Sequence, residues 1–109
     1  MNKLKNNFIK NGLKYKILER IEDFVLLEVR GQYGGIIGYE VGPVIIIKRR
    51  NIGFSVLEKR ESILPNSRFG YKVNGVQSSC FFPERSFQEA KNFFDNLVFS
   101  VRFLNETLK

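Results

Sequence analysis

The chain has 109 residues, with 18 Lys and Arg against 11 Asp and Glu, a formal net charge of +7, no histidine, no tryptophan and one cysteine. Its length fits one domain, and a 43% hydrophobic fraction that includes eleven Phe and four Tyr supplies a core and argues against global disorder. The missing imidazole and the lone thiol remove most tools of acid–base, nucleophilic and zinc chemistry, so composition points away from an enzyme and toward a protein that meets an anionic partner.

Residues 1–12, MNKLKNNFIKNG, are rich in Asn and Lys and read as a flexible or short helical basic arm, with Leu4 and Phe8 sharing one face of a helical turn. Residues 13–109 read as a single α+β domain. Alternation begins at Tyr15 and Ile17, Glu22-Asp23 supplies a turn, and Phe24 to Arg30 reads as a second strand. Gly31-Gln32-Tyr33-Gly34-Gly35 is a strong break, rich in residues suited to positive φ. Ile36 to Arg49 is a long β-rich stretch centred on Val41 and Val44 to Ile47, which Gly42-Pro43 is expected to interrupt as a bulge or an edge position.

Arg50 to Gly53 reads as a turn, Phe54 to Lys59 as a strand, and Arg60 to Gly70 as a surface loop. Asn74-Gly75 between Tyr71-Lys72-Val73 and the stretch Val76 to Phe82 signals a hairpin with a two-residue type I′ turn. Ser86-Phe87-Gln88-Glu89 matches a capping box. Phe87, Ala90, Phe94, Leu97, Val98, Val101 and Leu104 then recur at helical spacing, which predicts a helix over 87–106. Phe93, Phe99 and Phe103 widen the apolar arc beyond that stripe and are candidates for a protein interface. The expected fold is an antiparallel sheet of four to six strands with one C-terminal helix packed across it. Phe87, Phe94, Leu97, Val98 and Val101 would face Leu26, Val41, Ile45 and Ile47.

The apolar run Val44 to Ile47 is far too short to span a bilayer, and no apolar stretch follows the N-terminal lysines as in a secretory leader. Cys80 has no partner in the chain, which fits a reducing compartment or simple indifference to redox. The expectation is a cytoplasmic protein without a membrane partner.

The densest basic region is Lys48-Arg49-Arg50 with Lys59-Arg60; Glu58 and Glu61 stand beside it. A second basic group is Lys3, Lys5, Lys10, Lys14 and Lys16. Clustered cations attract phosphates, and a solvated strand end is the bland alternative. Arg68-Phe69-Gly70-Tyr71-Lys72-Val73 partly matches the aromatic strand of RNA-recognition motifs, out of register and in a chain with one helix where that fold needs two. Phe69 and Tyr71 are nevertheless candidate stacking rings between Arg68 and Lys72, with core placement as the alternative.

The glycines at 31, 34, 35 and 38 lack the Lys-Ser/Thr pair of a P-loop and the spacing of a dinucleotide fingerprint, so they read as a hairpin loop. Cys80 has no histidine to activate it, and Glu58/Glu61 and Glu84/Glu89 sit among cations on surface segments. No catalytic residue, cofactor or metal is expected.

Tyr39-Glu40-Val41 leading into Ile45-Ile46-Ile47-Lys48-Arg49, then Leu64-Pro65-Asn66-Ser67-Arg68-Phe69-Gly70, then Ser86-Phe87-Gln88-Glu89-Ala90, form an order of parts that resembles small uncharacterised bacteriophage proteins. Here the link from Phe-Gly to the aromatic strand is lengthened by the Asn74-Gly75 region. The resemblance implies a phage-type source and an α+β fold, and brings no activity with it. Small phage proteins bind nucleic acid, host machinery or defence complexes, an association rather than a physical argument. Two functions follow as expectations. The first is a non-enzymatic module that contacts nucleic acid or a nucleoprotein through Lys48, Arg49, Arg50, Lys59, Arg60, Arg68 and Lys72. The second is a protein-binding inhibitor or adaptor, anti-defence or host-takeover in kind, that uses Phe93, Phe99 and Phe103 or a strand edge on a host protein or a second copy of itself.

Overall fold

Three tight reversals build the first half of the sheet in the computed structural model, which describes residues 3–50, 57–63, 72–73 and 76–107. Asn11 and Gly12, with φ of 53° and 78°, turn strand β1 (Asn7–Lys10) into β2 (Leu13–Ile21). Asn and Gly are the residues that tolerate this left-handed pair. Glu22, at φ 56°, helps turn β2 into β3 (Phe24–Arg30). Between β3 and β4 (Ile36–Arg50), Gly31 donates its N–H to the Gly35 carbonyl and Gly34 to that of Gly31. Residues 7–10, expected within a flexible or helical arm, are thus a paired edge strand. Leu4 and Phe8 do point inward, but on the sheet, with Phe8 stacked on Tyr15 at 5.1 Å.

β4 is fifteen residues long, and Gly42-Pro43 does not break it. The pair marks a change of partner instead. β3 occupies Ile36 to Pro43, and β5 (Leu57–Ile63) occupies Val44 to Arg50. Pro43 has no N–H to give to a ladder, and the next N–H, of Val44, is taken by the Asp23 carbonyl at 2.7 Å. A further strand, pairing with Gly38 to Val41, lies at Cys80–Pro83. Two short strands come before it, β6 (Lys72–Val73) and β7 (Val76–Gln77), so the strand on β4 is β8.

The order is β1-β2-β3-β4-β5 in one six-stranded antiparallel sheet, with β8 also on β4. β6 and β7 pair with each other and bracket Asn74-Gly75, whose turn lies outside the described residues. The strand expected from Phe54 to Lys59 runs from Leu57 to Ile63, so Arg60 to Ile63 are strand rather than loop; Phe54 to Val56 lie outside the described residues.

α1 (Phe87–Thr107) starts after Ser86, whose carbonyl takes the Ala90 N–H at 3.0 Å. Its stripe of Ala90, Phe94, Leu97, Val98 and Val101 is buried against Phe24, Leu26 and Val41. The other face of the sheet carries a second core of Tyr15, Val25, Leu27, Val29 and Ile63, rimmed by Leu4, Phe8, Ile17, Val44 and Phe81. β3 is therefore buried on both faces, which explains its unbroken apolar run Phe24-Val25-Leu26-Leu27. Ile45 and Ile47 do not join the helix core, because they lie beyond the change of partner on β4. Phe87 is also displaced from the expected stripe: it stands at the rim, edge-on to Tyr39 at 5.2 Å.

β2 carries a bulge between Ile17 and Glu19. Before it, Tyr15 and Ile17 face the second core; after it, Ile21 faces the helix, where Glu19 pairs with Lys91, while Arg20 sits opposite Val25 on the second face. The extra residue thus reassigns the faces within one strand.

Gly38 permits β8 to approach β4. A Cβ at this position would lie 2.4 Å from the Phe81 ring and 2.4 Å from the Phe82 carbonyl oxygen. Gly38→Ala is expected to destabilise the fold by about 1–3 kcal/mol through overpacking, read as a lower urea midpoint at an unchanged slope.

Candidate anion-binding cleft

The curl of the sheet brings its two ends, β1 and β5, together without a backbone ladder between them among the described residues. Side chains form the seam. The Arg20 guanidinium donates both Nη groups to Glu61, Nη1 to Oε1 and Nη2 to Oε2, each at 2.8 Å. The Leu4 N–H donates to the same carboxylate at 3.0 Å. From β1, the Lys10 ammonium reaches across to Ser62 Oγ at 3.0 Å and to the Ile63 carbonyl. Two parallel hydrogen bonds between ions fix orientation as well as distance, so Arg20 and Glu61 hold β5 over β2.

Beside this seam lies a cleft of about 640 Å³. Lys3, Lys5, Lys10 and Arg60 supply its cations, Leu4, Phe8, Ile9 and Ile47 its apolar wall, and Glu61 and Ser62 the remainder. Glu61 is the one carboxylate in this lining and it is already engaged. The Arg20 fork, and then the Leu4 N–H, hold its carboxyl at about 2 against the opposing effect of burial. Lys10 is pulled below the ordinary lysine value, first by burial and then by the Arg60 charge, with Glu40 acting in the opposite direction. Arg20–Glu61, Arg30–Glu28, Lys91–Glu19, Lys91–Asp95 and Arg102–Glu22 are ion pairs among the described residues. Lys3, Lys5, Lys10 and Arg60 enter none of them. The cleft is therefore a concentration of positive charge in which an added anion relieves repulsion.

The sequence candidates divide around this cleft. Arg60 lines it together with three lysines of the second basic group. Lys48 and Lys59 stand directly opposite each other on the exposed β4–β5 ribbon, a like-charge pair on the same two strands. In backbone register, Arg49 is opposite Glu58 and Arg50 opposite Leu57; the side chains of both arginines lie outside the described residues. Lys72 is in β6 with its side chain likewise outside them, as are Arg68, Phe69 and Tyr71 entirely. Lys14 and Lys16 line a different cleft of about 500 Å³, which shares Phe8 and Ile9 with the first and contains the Arg30–Glu28 pair.

Phe93 is not an outward group. It packs on Phe82 at 5.6 Å beside the helix core. Phe99 and Phe103 do face out, 71% and 58% exposed and stacked at 6.4 Å. Cys80 is half-buried, and burial pushes its thiol up. Among the described residues no group of three His, Cys, Asp or Glu side chains is placed to hold a metal ion, and no helix is long and apolar enough to cross a membrane.

Sequence reasoning missed Lys10 as a fixed group because the Asn11-Gly12 turn was read as part of an arm. That dipeptide is the same hairpin signal as Asn74-Gly75. The Arg20–Glu61 fork has no local signal, since its partners are 41 positions apart. No family model matches this chain, no curated protein matches it, and no solved structure matches it.

Glu61→Gln keeps the shape of the seam and removes its charge, with an expected loss of about 1–3 kcal/mol at neutral pH. The folded carboxyl lies below its ordinary value of 4.5, so its contribution is complete above pH 4.5 and is lost as pH falls toward 2. Urea melts of wild type and variant should therefore differ at pH 7 and converge in acid.

Proposed function

We propose that this chain is a non-enzymatic binding protein whose β1–β5 cleft receives the phosphate backbone of nucleic acid. The observation that carries this reading is the meeting of Lys3, Lys5 and Lys10 with Arg60 around one cleft whose carboxylate is already held by Arg20. Cations from the N-terminal strand region and from mid-chain β5 converge where a polyanion lowers their mutual repulsion. Lys48 and Lys59 add an exposed like-charge pair on the same β4–β5 ribbon, outside the cleft lining. Phosphate contacts position a nucleic acid without reading its sequence, which suits a site where lysines supply three of the four cations. The net charge of +7 acts in the same direction at long range. The resemblance to phage proteins, on its own, makes the host cytoplasm the compartment for this reading.

Fluorescence anisotropy against labelled oligonucleotides across a salt series tests it. Affinity should fall as salt rises, by about 0.7 to 0.9 log units per log unit of salt for each phosphate neutralised. Lys5/Lys10/Arg60→Ala should weaken binding and make that slope shallower by about 2 to 3, one phosphate for each cation removed. Binding that ignores salt, or that survives the triple substitution intact, would sink the reading.

The exposed stack of Phe99 on Phe103 favours a second reading, in which the chain is an inhibitor or adaptor that covers these rings with a protein partner or with another copy of itself. Sedimentation velocity of wild type and of Phe99→Ser/Phe103→Ser addresses the copy. A concentration-dependent dimer in wild type that the double variant abolishes supports it, and two monomers of equal sedimentation coefficient remove self-association.

A further inference from the structure

We propose that the cleft takes a single strand of nucleic acid in preference to a duplex, with one phosphate seated between Lys10 and Arg60. This rests on the reading above and narrows its ligand.

The first argument is depth. Lys10 is not a free surface charge: the residue is half-buried, and its ammonium is tethered across the seam to Ser62 Oγ and the Ile63 carbonyl. Arg60 faces the same space. A duplex is a convex rod whose phosphates meet exposed side chains. Its backbone reaches a recessed ammonium only if the strand bends inward, whereas a single strand is flexible enough to do so. The position of Lys10 also favours the ligand electrostatically, because an anion that arrives there offsets both its burial and its repulsion by Arg60.

The second argument is the wall. Leu4, Ile9 and Ile47 stand among the cations, and Ile9 is 71% exposed. Leu4 and Ile47 are half-buried, and charge alone does not account for an apolar side chain as open to water as Ile9 in a basic cleft. Unstacked bases present apolar faces that would cover them, and paired bases hide those faces within the stack. The platforms are aliphatic and not aromatic, so the contacts are tolerant of base identity. The third argument is scale. At about 640 Å³ the cleft falls in the range of small-ligand sites, roughly 300 to 1,000 Å³, and suits a short length of one strand.

The test uses the full chain and four labelled probes of matched charge: an oligo-dT, an oligo-U, a hairpin duplex and poly-glutamate. Both single strands are expected to bind at least tenfold tighter than the duplex. Arg60→Ala and Lys10→Ala should each weaken them about tenfold, a loss of about 1.4 kcal/mol. Ile9→Ser is the separating variant, because Ile9 is exposed and uncharged and its loss should leave the fold intact. It should weaken the single strands severalfold and leave the duplex unchanged. A preference between oligo-dT and oligo-U distinguishes DNA from RNA, and either supports the proposal. Equal affinity for the duplex, or no effect of Ile9→Ser on the single strands, overturns the proposal while nucleic-acid binding stands. Poly-glutamate binding as tightly as the single strands overturns it in favour of an acidic peptide. Failure of every nucleic-acid probe at low salt overturns the proposal and the function it rests on together.

Discussion

The change of partner along β4 is the constraint on which the rest of the molecule depends. A strand that kept one neighbour for fifteen residues would extend a flat two-sided sheet. Here the ladder with β3 stops at the Phe24–Pro43 pair, and β5 takes over from Val44. Proline can occupy the junction because no ladder requires its missing N–H. β5 is thereby placed so that Ile63 packs with Tyr15, Val25, Leu27 and Val29. One face of the sheet is covered by α1, and the other by the sheet's own curled end. A single helix is consequently enough for a chain of this size, since β3 finds apolar cover on both sides.

Closing that curl raises an electrostatic problem, because cations from both edges line the cleft between them. Lys3, Lys5 and Lys10 come from one side and Arg60 from the other. Glu61 is placed where it offsets part of this repulsion, but its two oxygens go to Arg20 and its third hydrogen bond to the Leu4 N–H. The carboxylate therefore contributes to holding the seam closed more than to neutralising the cleft. The other described ion pairs lie elsewhere: Lys91 with Glu19 and Arg102 with Glu22 tie the helix to β2 and its turn. The remaining cations are left beside an apolar wall, where their mutual repulsion is offset by no second carboxylate of the cleft lining.

The same reasoning separates Phe93 from Phe99 and Phe103. All three lie outside the stripe that the helical period assigns to the core. β8 widens the sheet beneath α1, and Phe82 meets Phe93 there. Further toward the C-terminus the two exposed rings cover each other instead. Which aromatics a helix hides depends on how wide the sheet is beneath it, and that width depends on a strand that pairs with β4 out of chain order.

The sequence by itself determined the local elements. The alternation from Tyr15 and through Phe24 to Arg30, the glycines at 31 to 35, and the Ser86 start and apolar period of the helix are each governed by contacts a few residues long, and so was the α+β class. It determined the sign and size of the charge as well. Only the tertiary structure decided where that charge meets. Arg20 and Glu61, Lys10 and Ser62, and Lys10 and Arg60 are neighbours because β4 exchanges β3 for β5 and the sheet curls. No periodicity or dipeptide signal encodes a contact across forty or fifty positions. The bulge between Ile17 and Glu19 likewise shows only in the paired strands: it sets Arg20 opposite Val25, on the face of the second core.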